Sequence, residues 1–315
     1  MASSKSVVIA ALIANGSIAV MKFLGYLLTG SPSMLSETYH SISDTGNQVF
    51  LLVGIRYSGR EADRDHPFGY GKAQFFYAFL VAVLLFGIAG WESLRHGYEA
   101  IVDPHAVSTN LVTLPVVGTE IPSVWVNYAV LLFAILFETW ALWKAYQGLS
   151  AQMVEHEWAT LREAFRKTSD VTTLTAFTED SIALGGAAIA LVGVYLSQVT
   201  GNPIYDAVGS VVIGLMLMGF ALALAWENKR LLLGESVAGD EDERLRTIIR
   251  DAEGVTHIDG FRTVYFGPEQ LLLTADVSFD PDLGTETIDE RITAIERALK
   301  DAEPQIRKVY LEPEL

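Results

Sequence analysis

Residues 73 to 91, AQFFYAFLVAVLLFGIAGW, hold no charged side chain, and an apolar run of about 20 residues is what crosses a bilayer as helix. Similar runs recur along the chain, and 50% of its residues are hydrophobic. The chain therefore reads as an integral membrane protein. Six spans are expected: Val7 to Leu28, Ser33 to Ile55, Ala73 to Trp91, Val124 to Trp143, Val171 to Leu196 and Ile204 to Trp226. Arg56, Arg60, Arg64 and Lys72 lie between spans 2 and 3, Lys144, Arg162, Arg166 and Lys167 between spans 4 and 5, and Lys229 and Arg230 after span 6. The other three connections carry only Arg95, so the positive-inside rule places both termini in the cytoplasm. The first span is too long for a signal peptide and contains Lys22, and it is expected to be retained.

The chain changes character at Glu235, which divides it into a membrane domain, 1–234, and a soluble tail, 235–315. The tail has 20 acidic residues against 9 basic ones and supplies most of the net charge of −16. Such a domain suits neither nucleic acid nor an anionic lipid surface. GDEDERLRTIIRDAEG reads as a helix with Asp240 and Glu243 at capping-box spacing and Gly254 as its stop. LLLTADVSFD alternates, with Leu271, Leu273, Ala275, Val277 and Phe279 on one side, and pairs with HIDGFRTVYF across GPEQ. A helix from Thr287 to Asp301 and a last strand in IRKVYLE complete an α-β-β-α-β order. The fold class is thus an all-α domain of six transmembrane helices followed by a small α/β, ferredoxin-like cytoplasmic domain with helices on one face of its sheet.

The stretch SETYHSISD places His40 and Asp44 four residues apart in the second span. On a helix they share one face and reach one ion. An imidazole and a carboxylate suit Zn²⁺ or a similar divalent ion. The same pair would also serve as a polar seal of the bundle, but ionisable residues inside a span are functional candidates by default. Span 5 carries Glu179 and Asp180, which as neighbours point about 100° apart. At about 1.5 Å per residue, Asp44 and Asp180 lie about 18 Å and about 14 Å from the inner ends of their helices, level to within a turn. If spans 2 and 5 touch, His40, Asp44 and Asp180 close three sides of a cation site. Glu179 has a plainer alternative, facing a polar crevice or pairing with Lys22. There is no cysteine, so neither a disulfide nor a thiolate site exists.

Between spans 2 and 3 stands DHPFGYGK, and GSPSMLSETYHSISD precedes it. With the six spans and the α/β tail after LLLGES, these motifs resemble the cation diffusion facilitator family of metal exporters over nearly the whole chain. That resemblance implies a homodimeric antiporter that moves Zn²⁺, or in some branches Mn²⁺, Fe²⁺, Co²⁺, Ni²⁺ or Cd²⁺, out of the cytoplasm in exchange for protons. It implies a transport site with two ligands from each of spans 2 and 5 at i, i+4 spacing. His40, Asp44 and Asp180 match; the fourth position is Ala176. Water, Glu179 or a hydroxyl such as Thr175 must then supply the fourth ligand. The family's loop site, an aspartate and two histidines, matches at Asp63 and His66, while Tyr70 stands at the third position. The tail has one histidine, His257, so its implied role is dimerisation rather than metal binding.

His96, His105 and His156 lie in connecting segments and have no assigned role; Glu138 and Asp206 are candidates to line the two vestibules, as are Asn15 and Asn47. Zn²⁺ is the first expectation for the cargo, with no resident cofactor. One nitrogen among oxygens is a harder site that shifts preference toward Mn²⁺ or Fe²⁺. Two rivals remain: a non-transporting scaffold or regulator of the same fold, with Ala176 and Tyr70 as signs of decay, and an intramembrane metalloenzyme, for which no HExxH or comparable signature exists. The acidic, cysteine-free composition points to a prokaryotic inner membrane.

Overall fold

A computed structural model describes residues 4–104, 111–113, 120–155, 159–160, 171–268 and 270–314. The chain divides into two compact units, Met1–Val49 with Val81–Ala223, and Phe50–Leu80 with Leu224–Leu315.

The first unit is helical, and three of its helices continue into residues of the second. In order come α1 (Ser4–Thr29), α2 (Pro32–Ser58), a rod made of α3 (Ala73–Leu84), a π-turn (Leu85–Gly90) and α4 (Trp91–Val102), then α5 (Val124–Glu155), α6 (Val171–Thr200) and α7 (Ile204–Leu233). Each stretch expected to span is helical and runs past its expected C-terminal end. Among the described residues, four helices are long and apolar enough to cross a membrane: Ala73–Val102, Val124–Ala151, Phe177–Thr200 and Ile204–Leu233. In α2, Ser33, Ser36, Glu37, Thr38, His40, Ser41 and Asp44 take places that apolar side chains would otherwise fill. The third span was expected to stop at Trp91 yet its helix reaches Val102. Its last turns are polar outside and laced by Arg95, which contacts Glu92 at 3.5 Å and Glu99 at 2.9 Å, so hydropathy stops where i, i+3 and i+4 ion pairs take over. In the connection that follows, β1 (Leu111–Thr113) pairs antiparallel with β2 (Glu120–Pro122), a hairpin where only a loop was expected.

Small residues let helices α4 and α7 meet backbone to backbone, in the manner of membrane helix pairs. At Gly214 an added Cβ would lie 2.6 Å from the Leu94 nitrogen and 3.0 Å from the Gly90 carbonyl oxygen. Gly214→Val is expected to destabilise the bundle by about 1–3 kcal/mol through overpacking. A fall in unfolding midpoint in detergent checks this, with Gly219→Ala as a control, since nothing lies within 4 Å of that position. Helix α2 is fixed to α7 by polar contacts: Ser36 lies 2.7 Å from Ser210, which donates to the Ser93 carbonyl at 2.9 Å. At the start of α2, the Ser33 amide donates to Asp206 at 3.2 Å. Helix α5 packs along α6 and against α1. These contacts set α1, α2, α5 and α6 around the acidic residues.

The second unit holds the tail: α8 (Gly239–Arg250), β3 (Val255–Gly267), β4 (Gln270–Phe279), α9 (Thr285–Ala302) and β5 (Ile306–Glu314). The α-β-β-α-β order is as expected. The sheet runs β3-β4-β5, with β3 antiparallel and β5 parallel to the central β4. Leu271, Leu273, Ala275, Val277 and Phe279 of β4 are buried in one cluster with Leu245 and Ile249 of α8 and Ile288, Ile295 and Leu299 of α9. Both helices therefore cover the same face. A ferredoxin-like β-α-β-β-α-β sheet has a further strand before its first helix; here residues 235–237 run beside β3 without becoming one. Their bonds are Tyr265 N to Glu235 O at 3.3 Å and Val237 N to Thr263 Oγ1 at 3.2 Å. The expected capping box is also displaced: α8 is capped at Ala238 without a side-chain bond, and Asp240, Glu241 and Asp242 fill its first turn, where acids favour the helix dipole. In the same unit the Phe68 ring stacks on Phe266 with centroids 4.9 Å apart, and Lys72 donates to the Leu232 carbonyl at 3.4 Å.

Candidate metal site

On α2 the residues Glu37, His40, Ser41 and Asp44 fall at helical spacing on one face. His40 is buried, 1% exposed, and its Nδ1 lies 3.6 Å from Asp44 Oδ1, beyond hydrogen-bond length. Both ring nitrogens are buried and lack a hydrogen-bond partner among the described residues. A neutral imidazole in that setting keeps a lone pair for a cation.

Glu179 of α6 is a neighbour of Asp44, and a cation or a proton between two such carboxyls relieves their repulsion. Asn47 donates to Glu179 Oε1 at 3.4 Å. Asp180, expected as the third ligand, follows Glu179 on α6, and neighbouring residues on a helix diverge by about 100°, so the two acids leave α6 in different directions. Among the described residues no three His, Asp or Glu side chains are gathered closely enough to hold an ion. The side chains of Thr175 and Ala176 lie outside the described residues.

Lys22 does not pair with Glu179, the partner weighed for it from the sequence. It pairs with Glu37 at 2.7 Å, both side chains 0% exposed. Sequence reasoning passed over Glu37, although an acid one turn before His40 in a span carried the same signal as Asp44. At the end of the bundle where the α1–α2 and α6–α7 turns lie, a cavity of about 680 Å³ is lined by Tyr26, Ser31, His96, Asn127 and Asp206 among others. Asp206 therefore lines a cavity of the helical unit.

The loop before α3 folds around Asp63. Its Oδ1 accepts from the amides of Asp65 at 3.0 Å and His66 at 2.7 Å, and its Oδ2 accepts from the Tyr70 hydroxyl at 2.6 Å. The His66 ring lies against Tyr70, centroids 4.1 Å apart, with its Nδ1 3.6 Å from Asp63. The phenol thus takes up the carboxylate oxygen that a cation would need. The Tyr70 bond, followed by that from the His66 amide, holds the Asp63 carboxyl below its ordinary range, and Asp63 pushes the Tyr70 hydroxyl up to about 12. Tyr70→Phe is expected to raise the Asp63 pKa. Because a depressed carboxyl stabilises the loop above its unfolded pKa and loses that contribution as pH falls through the folded value, the variant loop should loosen at a higher pH; carboxyl NMR titration measures both. His257 is exposed, 4.0 Å from Asp259, and His96 packs on Tyr39 between Glu92 and Glu99. His105 and His156 lie outside the described residues.

Comparison with known proteins bears on all of this. The family model for the cation efflux transmembrane domain matches residues 8–233. The mitochondrial proton-coupled zinc antiporter SLC30A9 of Mus musculus is 28% identical over 285 residues, 90% of this chain and 48% of that protein. This chain thus spans about half the length of that relative. The cation-efflux pump FieF of Yersinia enterocolitica is 25% identical over 272 residues, 85% of this chain and 79% of the pump. A solved C-terminal domain of the magnetosome protein MamM in a nickel form covers 23% of this chain and 95% of its own, at 20% identity and a TM-score of 0.21, too low for the likeness to bear on the fold.

Proposed function

Because this chain is a multi-pass membrane protein of the cation efflux family, the cation diffusion facilitators, we propose that it exports a divalent transition metal, zinc foremost, from the cytoplasm in exchange for protons. The observation that carries this reading is the buried His40 beside Asp44 on α2, with both imidazole nitrogens unpartnered among the described residues. Glu179 and Asp180 of α6 complete the path, and Asp63 and His66 belong to a loop whose site Tyr70 closes to metal. The chain crosses the membrane six times with both termini in the cytoplasm of a prokaryotic cell, and works as a homodimer through the 235–315 domain.

The exchange follows from competition for lone pairs. A cation needs neutral imidazole and ionised carboxylates, so protons and metal exclude each other at His40, Asp44 and Glu179. Loading from the cytoplasm releases protons; on the far side protons release the cation. Helices rocking about a mid-membrane site would supply alternating access. Inside-out vesicles holding the protein are expected to take up Zn²⁺ when the lumen is acid, and to stop when the gradient is collapsed. Uptake indifferent to the gradient would favour a scaffold or a channel. The oxygen-rich surroundings of Asp44, with Glu179 and Asn47, favour a second reading in which Mn²⁺ or Fe²⁺ is the cargo, and the same vesicles tested with each ion separate the two.

A further inference from the structure

Glu37 is a buried acid with one oxygen that no described residue satisfies. Its Oε2 accepts from Lys22 at 2.7 Å, while its Oε1 is buried without a partner. We propose that Glu37 is a further ligand of the transported cation, kept in reserve by Lys22; this rests on the reading of α2 and α6 as the transport path.

Stability alone gives no reason for the arrangement. Two charges taken out of the bilayer's surroundings are costly even when paired, and an apolar pair of similar volume serves a bundle as well or better. An unpartnered carboxylate oxygen adds to that cost. The free oxygen is also directed. A Cβ on Gly186 of α6 would run into Glu37 Oε1, so glycine at that place leaves Oε1 its space against the helix that carries Glu179 and Asp180. Three residues on along α2, both nitrogens of His40 are equally buried and equally unpartnered, and residues three apart on a helix are neighbours. A carboxylate oxygen and an imidazole nitrogen one turn apart repeat the donor chemistry of His40 with Asp44.

This assignment accounts for two other features. The sequence offers no ligand at Ala176, and Glu37 supplies a fourth group from α2 instead of α6. No three candidate ligands are gathered among the described residues, in keeping with Lys22 holding Glu37. A divalent cation arriving at His40 competes with the Lys22 ammonium for Glu37, one turn away on the same helix.

The test uses the full chain in detergent, with Zn²⁺ as the probe. In Lys22→Met with Glu37→Gln together, no buried charge of the pair is left, and unfolding and gel-filtration behaviour are expected to match the parent. Zn²⁺ affinity by calorimetry should nevertheless fall at least 10-fold. With ¹³C-carboxyl glutamate, infrared difference spectra of the parent should show glutamate bands that shift on adding Zn²⁺, one of them lost in the double variant, kept in Glu138→Gln and distinct from the one lost in Glu179→Gln. Parental affinity in the double variant, or the full parental set of shifting bands in it, overturns the assignment of Glu37. Asp44→Ala in the same assay should lose binding whatever Glu37 does; if it binds as the parent does, the transport site itself is wrong and this inference falls with it.

Discussion

Zinc uptake in vesicles carrying Asp44→Ala is expected to drop to the level of protein-free vesicles, a loss on the order of 100-fold or more. Residues that merely orient metal ligands cost about 10–100-fold when removed, and a ligand should exceed that. Asp44 is the group that stands next to both His40, at 3.6 Å, and Glu179. Alanine there leaves an imidazole facing a single carboxyl, which neither balances a divalent charge nor fixes its place in hydrocarbon. Glu179→Ala should reduce transport more than Asp180→Ala, because Glu179 is the acid of α6 that neighbours Asp44. Unchanged uptake by Asp44→Ala, in protein that elutes as the parent does, removes this site from consideration. The opposite order at 179 and 180 would move the site around α6 without abolishing it.

How far the sequence reveals such a site depends on the range of the interaction concerned. His40 and Asp44 could be read as a pair because they are four apart on one helix, where geometry is fixed by the backbone. The alternation of Leu271, Leu273, Ala275, Val277 and Phe279 likewise foretells the buried face of β4, since a strand's period leaves no choice. Partnerships between helices were not legible. Lys22 lies fifteen residues from Glu37, and nothing in either segment says that α1 turns its lysine toward α2 rather than toward Glu179 of α6. The choice between Glu179 and Asp180 is a matter of helix rotation, which packing sets and composition does not. Nor was it legible that residues 235–237 run beside β3, bonded at Glu235 and Val237, since that too is a contact between segments distant in sequence.

Lys22→Met alone is expected to destabilise the helical unit by about 3–5 kcal/mol, the range for breaking a buried ion pair by removing one partner. The reason is the group left behind. Glu37 is 0% exposed and its Oε1 already has no partner, so without the ammonium the whole carboxylate is unsatisfied in a low-dielectric surrounding. Glu37→Gln added to Lys22→Met removes that charge, and most of the lost stability should return even though two polar contacts have gone. The two variants therefore move in opposite directions from any account in which the pair acts through its attraction alone, since that attraction is absent from both. Titration with a denaturing detergent, followed by helical circular dichroism, measures each. A single Lys22→Met variant within about 1 kcal/mol of the parent would mean that water reaches Glu37, because an exposed pair is worth no more than that, and the burial on which the pair's role depends would not hold in the membrane.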